Sequence, residues 1–228
     1  MPQGDDIAMG ERLLVLGTKK YSSWSLRAWI GLTMAEVPFS ERVIKLYRPQ
    51  TATEIGRFSG ALRVPVLRDD ALTVHDSLAI LEYVNEAYAE GRLWPEDRAR
   101  RAQARAVSAE MHAGFPTLRQ RMPMNVARVH APLPPQWAID AATQAELDRL
   151  LSLWEGLLVE GGPFLFGAWS IADCMYLPVA TRLRTYRVDL AAHPLSQAYA
   201  ARLLGLPAFQ RWEADGRREP EEYAIYAR

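Results

Sequence analysis

The 228-residue sequence reads as a small α/β domain followed by a larger all-helical one. Short aliphatic runs of strand length occur only in the first third of the chain. Helical periodicity takes over after the linker-like stretch Gly91 to Pro95. The breaks fall at Pro, Gly and Asp-Asp positions between periodic segments, where turns are expected.

The elements follow in order. Arg12 to Leu16 is a short aliphatic strand, and Ser25 to Ala35 has apolar residues at helical spacing (Leu26, Trp29, Ile30, Leu32, Met34). Pro38 ends that helix, and Phe39 to Leu46 alternates as a strand. Arg48 to Ala61 holds a helical turn. Val64 to Leu67 and Leu72 to Val74 form two strands around the Asp69-Asp70 turn, and Ser77 to Tyr88 is an amphipathic helix. The second part predicts one long helix from Ala99 to about Met122, a loop at Pro132 to Pro135, and a helix from Trp137 to Glu160 stopped by Gly161-Gly162-Pro163. A helix opening at Ser170 and two shorter ones, around Leu195 to Leu204 and Ala208 to Arg217, complete it. The expected division is a flexible extension over 1–11, an α/β domain over 12–90 and a helical domain over 96–228.

Composition narrows the function. With 27 basic and 27 acidic residues the net charge is zero, so no broad field attracts nucleic acid or a membrane surface. No apolar run approaches the roughly 18 residues of a membrane span. Met1 to Arg12 carries Asp5, Asp6 and Glu11 and lacks the apolar core of a signal peptide. The single cysteine, Cys174, precludes an intrachain disulfide and fits a reducing compartment, so the cytoplasm is the expected location. His75, His112, His130 and His193 have no metal-ligand spacing, and no metal is expected.

Several short motifs carry chemistry. Tyr21-Ser22-Ser23-Trp24-Ser25-Leu26-Arg27 places three hydroxyls where a strand turns into a helix. Helix N-termini present unpaired N–H groups and partial positive charge, so they favour an anion. One hydroxyl, Ser25 or Ser23, suffices to cap the helix. Val64-Pro65 leads into a strand, either as a plain loop-to-strand proline or, with a cis bond, leaving the Val64 main chain to pair with an extended peptide. Asp76-Ser77 opens a helix. Ser77 is a plain N-cap candidate, or else Ser77 holds a ligand carboxylate while Asp76 holds an ammonium. Ser170-Ile171-Ala172-Asp173 has the spacing of a capping box and belongs to folding, with Cys174 a core thiol. Arg98, Arg100, Arg101 and Arg105 form a solvated or subunit-facing strip. Met111, Phe115, Leu118 and Met122 form an apolar stripe, of which core packing is the default reading.

The order of these pieces resembles the glutathione transferase family from Arg12 to Arg217. That family has a thioredoxin-like N-terminal domain and a helical C-terminal domain. Ser22 to Arg27 is most similar to the zeta-class motif Ser-Ser-Cys-x-x-Arg, and Tyr186 to Leu190 resembles the zeta segment after the capped helix. The resemblance implies glutathione as co-substrate, no metal, and a homodimer. Ser22 would be the catalytic hydroxyl. Ser23 and Trp24 would help to bind glutathione, and the Val64 main chain beside a cis Pro65 would bind the cysteinyl part. Asp76 and Ser77 would bind the γ-glutamyl end, and Gln50 is the candidate for the glycyl carboxylate. Trp24, Met111, Phe115 and Leu118 would wall the pocket of a small, largely apolar electrophile.

The departures matter too. Trp24 replaces the motif Cys, Asp76 replaces a Gln, and Thr185 stands where the zeta enzymes have an Arg thought to meet a dicarboxylate. Conjugation is therefore the leading expectation. Glutathione-dependent cis–trans isomerisation, as in maleylacetoacetate isomerase, is the alternative, and a non-catalytic ligand- or protein-binding module is the third reading. The energetics are modest. A free thiol titrates near about 8.5, and a two-unit depression needs roughly 2.7 kcal/mol. One charge-assisted hydrogen bond and a helix dipole are together about that size.

Overall fold

The computed structural model describes residues 11–130 and 139–223. The predicted extension up to residue 10, the Pro132 to Pro135 loop, and Trp137 lie outside the described residues. Strand β1 (Arg12–Gly17) leads through helix α1 (Ser23–Met34) to β2 (Ser40–Ile44), then α2 (Thr51–Gly56), the strands β3 (Val66–Asp69) and β4 (Leu72–His75), and α3 (Ser77–Ala87). The sheet order is β2-β1-β3-β4. β2 runs parallel to β1, while β3 and β4 are antiparallel additions.

Two-residue alternation sorts the sheet's faces. Leu14, Leu16 and Leu67 join the main core, whereas Val15 and Val66 pack with Ile44, Ile55 and Phe58 under α2. Helix α1 is buried along most of its length. Gly31 is required where it meets α3, because a Cβ there would lie 2.0 Å from Leu81 Cδ2.

The second domain comprises α4 (Arg98–Ala113), α5 (Pro116–Arg121), α6 (Ala141–Leu158), α7 (Ile171–Thr185), α8 (Pro194–Gly205) and α9 (Pro207–Arg218). The single helix expected from Ala99 to Met122 is broken in two. Pro116 disfavours helical backbone at the residue before it, and Phe115 takes a left-handed conformation at φ 54. Gly114 passes so close to the preceding turn that a Cβ would lie 2.6 Å from Glu110 O. Helix α7 is the hub, packed on α1, α4 and α8. Its capping box forms as expected: Asp173 Oδ2 accepts from Ser170 N at 2.8 Å and from Ser170 Oγ at 2.9 Å. Tyr199 OH donates to Asp173 Oδ1 at 2.7 Å. Burial pushes the Asp173 carboxyl up to about 6 despite these donors. Cys174 is fully buried behind it.

Candidate active site

A cavity of about 960 Å³ opens where the two domains meet, at the N-terminus of α1. Of the expected site residues, Ser22, Ser23, Trp24, Val64, Pro65, Asp76 and Ser77 line it. The Val64-Pro65 bond is cis.

The serine turn is resolved into separate roles. Ser22, not Ser23 or Ser25, is the N-cap of α1. Its Oγ accepts from Ser25 N at 3.3 Å and donates to Ser25 Oγ at 2.8 Å. Ser25 is fully buried, and its Oγ accepts from Gly17 N at 2.9 Å, so it ties the end of β1 to α1. Rotation about Cβ–Oγ turns the Ser22 proton from Ser25 towards the cavity. Ser23 Oγ accepts from Arg182 Nη2 at 3.3 Å.

The start of α3 also differs from expectation. Asp76, not Ser77, is the N-cap: its Oδ1 accepts from Leu78 N at 2.8 Å and Ala79 N at 3.3 Å. Asp76 sits at φ 78, outside the helical region, which frees its carboxylate to reach both the helix and the cavity. Oδ2 lies 3.3 Å from His112 Nε2 on α4. Ser77, at the first helical position, is fully buried, and its Oγ has no hydrogen-bond partner among the described residues. A buried hydroxyl without a partner is costly, and Ser77 lines the cavity next to Asp76. That pairing fits a ligand end carrying both a carboxylate and an ammonium.

The far wall was not legible as a site in the sequence. His112 from α4, Arg119 from α5 and Arg182 from α7 all line the cavity. Arg182 is nearly fully buried and donates from Nε to Met122 O at 2.8 Å and from Nη1 to Pro178 O at 3.0 Å. The Trp24 ring lies 4.5 Å from the Arg27 guanidinium and 5.8 Å from that of Arg119, with His112 edge-on at 5.1 Å. Burial, then the neighbouring Arg182 and Arg119 charges, push the Arg27 guanidinium down to about 9. This wall is therefore more cationic than the apolar one expected. Spacing could not have found these residues, because they come from three helices.

Met111, Phe115 and Leu118 do not line this cavity; all three are buried in the main core. Met111 precedes the cavity-lining His112, and one helical step of about 100° turns it inward. Gln50 precedes α2 as an exposed residue away from the cavity lining. Thr185 is buried and donates to Asn125 O at 3.1 Å, while Arg182, one turn earlier on α7, takes the place facing the cavity.

The fold pairs a small α/β domain with a helical one, and the cavity at the α1 N-terminus is lined by residues of both. Family profiles for the glutathione S-transferase N-terminal domain and C-terminal domain match residues 21–87 and 102–215. The chain is 29% identical over 201 residues to a probable maleylacetoacetate isomerase of Vibrio cholerae, covering 82% of this chain and 89% of that one. It is 29% identical over 194 residues to the maleylacetoacetate isomerase of Rattus norvegicus, covering 83% and 87%. A Burkholderia glutathione transferase homologue solved with bound glutathione superimposes with a TM-score of 0.70 at 26% identity, over 91% of this chain and 98% of that one. The chain belongs to the glutathione S-transferase family.

Proposed function

We propose that this enzyme binds glutathione along the α1–α3 edge of the cavity, with the Ser22 hydroxyl donating a hydrogen bond to the thiolate. The observation that carries the reading is the partnerless, buried Ser77 hydroxyl beside the Asp76 carboxylate, in the same cavity as the Ser22 helix mouth. Ser77 would take the γ-glutamyl carboxylate and Asp76 the ammonium, with the Val64 main chain pairing with the cysteinyl residue as in the family pattern. The α1 N-terminus and the nearby Arg182 cation add to thiolate stabilisation. The thiolate, its proton released to solvent, then attacks an electrophilic carbon held near Trp24; the sulfur pair forms the C–S bond and, with an aryl halide, the halide leaves with the carbon–halogen pair. Thiolate absorbance of bound glutathione and conjugation of an aryl halide, compared in wild type and Ser22→Ala, test this. Unchanged signals in the variant remove Ser22 from the role.

A second reading is favoured by Arg119 and Arg182 in the cavity wall. They suit an electrophile bearing carboxylates, as do the names of the relatives. In that case the thiolate adds reversibly to a carbonyl-conjugated cis olefin whose C=C pair moves into the carbonyl as an enolate, the resulting single bond rotates, and the enolate re-forms the olefin as sulfur leaves with the C–S pair. Turnover of a maleyl substrate without net loss of glutathione is the decisive measurement. The working unit in either reading is a homodimer, checked by light scattering at twice the monomer mass.

A further inference from the structure

The segment after α9 forms a strap over the β1–α1 turn, against Tyr21 and Tyr47 of the cavity lining. Glu219 accepts from Lys19 N at 2.7 Å and Lys20 N at 2.8 Å, holding the β1–α1 turn. Lys20 Nζ donates to Glu221 O at 3.0 Å and to Glu222 Oε1 at 2.9 Å. The Tyr223 ring lies 5.1 Å from that of Tyr21 and 5.2 Å from that of Tyr47, both of which line the cavity. Thus anchored, the strap brings the Glu221 carboxylate to the β2–α2 loop. Its Oε1 lies 2.7 Å from Lys45 Nζ and 3.5 Å from Arg48 Nη2. The Glu221 side chain is only 4% exposed, whereas Lys45 and Arg48 are 54% and 49% exposed. The acid is fixed and the cations come to it.

This loop contributes to the same cavity as Asp76 and Ser77. Leu46, Tyr47 and Thr51 line the cavity there, and Thr51 Oγ1 ties the loop by donating to Lys45 O at 2.7 Å and accepting from Arg48 N at 3.0 Å. A tripeptide with a carboxylate at each end, held at one end by Ser77, presents its other carboxylate to this loop. Lys45 and Arg48 bracket the loop's cavity-lining residues without themselves lining the cavity, and Glu221 already engages both.

We infer that Glu221 is a built-in competitor for the cations that receive the glycyl carboxylate, so the strap sets the affinity for glutathione. The inference rests on the glutathione reading above. To bind, the ligand must draw Lys45 away from Glu221, which leaves a buried carboxylate less well compensated. Half-exposed ion pairs of this kind set the expected scale at about two- to fivefold.

The test is calorimetric titration of wild type and Glu221→Gln with glutathione and with its glycyl ethyl ester. Circular dichroism and thermal midpoints check that the variant is folded, and a chain ending at Arg218 serves as the second variant. The expected result is a Kd for glutathione about two- to fivefold tighter in both variants, with the ester unchanged. Unchanged or weaker glutathione binding overturns the inference, and so does equal tightening of acid and ester, which would make the strap a mere lid. If the wild type and both variants bind neither ligand, the glutathione reading fails and this inference falls with it.

Discussion

Ser77→Ala should make the unliganded protein more stable and the liganded complex weaker, a pair of effects that a structural serine would not produce. The Ser77 Oγ is buried with no hydrogen-bond partner among the described residues. Leaving a polar group so costs about 1–3 kcal/mol, and replacing it with a methyl group removes that cost. The lost contacts of one oxygen offset part of the gain, so a net stabilisation of about 1 kcal/mol is expected. For a chain of this size that is a rise of about 2–4 °C in the thermal midpoint. A hydrogen bond to a charged ligand group contributes about 1.5–3 kcal/mol, so the Kd for glutathione should weaken by about 10- to 150-fold. Differential scanning calorimetry without ligand and titration calorimetry with glutathione measure the two effects. A variant destabilised without ligand, or one that binds glutathione as tightly as wild type, refutes the reasoning.

Ser22→Ala should leave the fold intact at a cost of about 1 kcal/mol for the lost cap, because Ser25 still holds Gly17. Its thiolate absorbance near neutral pH should fall up to about a hundredfold if Ser22 supplies most of a two-unit thiol shift. Lys45 holds the Glu221 carboxyl, and Lys20 the Glu222 carboxyl, below the usual carboxylate range. These two carboxyls then bind fewer protons folded than unfolded, so their contribution is present above the unfolded pKa and lost as pH falls through the folded values. Wild type should therefore lose more thermal stability than Glu221→Gln between about pH 5 and about pH 3; equal losses would count against it. Gly31→Ala places a Cβ 2.0 Å from Leu81 Cδ2 and 3.5 Å from Cys174 Sγ, and should destabilise by about 1–3 kcal/mol in urea titration. Cys174 is fully buried and its thiol is pushed up by burial, so a chromogenic disulfide reagent should react only on unfolding; rapid labelling of the native protein would contradict that placement.

The sequence carried most of the fold and about half of the site. The strands of the sheet, α1, α3 and the Ser170 capping box were legible because each is set by local signals: two-residue alternation, helical spacing, and a side chain that pairs with backbone three positions away. Ser22, Val64-Pro65 and Asp76-Ser77 were legible for the same reason, since each is a short motif at an element boundary. The break between α4 and α5 was missed even though Gly114 and Pro116 mark it, because the apolar stripe continues across it. Ser77 was read as a cap because only the positive φ of Asp76 moves the cap one residue earlier.

What the sequence determined by itself was a serine-bearing helix mouth behind a β-strand, set in an α/β domain with a helical partner. Tertiary structure decided what faces that mouth. His112, Arg119 and Arg182 come from three separate helices and meet only because α7 packs across α1 and α4. Met111, Phe115 and Leu118 turn into the core instead. Glu221 reaches Lys45 across 176 positions of the sequence only because Glu219 and Lys20 anchor the strap. Local chemistry fixes elements and their caps over three or four residues. The charge around a cavity is the sum of side chains brought together by packing, and no local pattern encodes it.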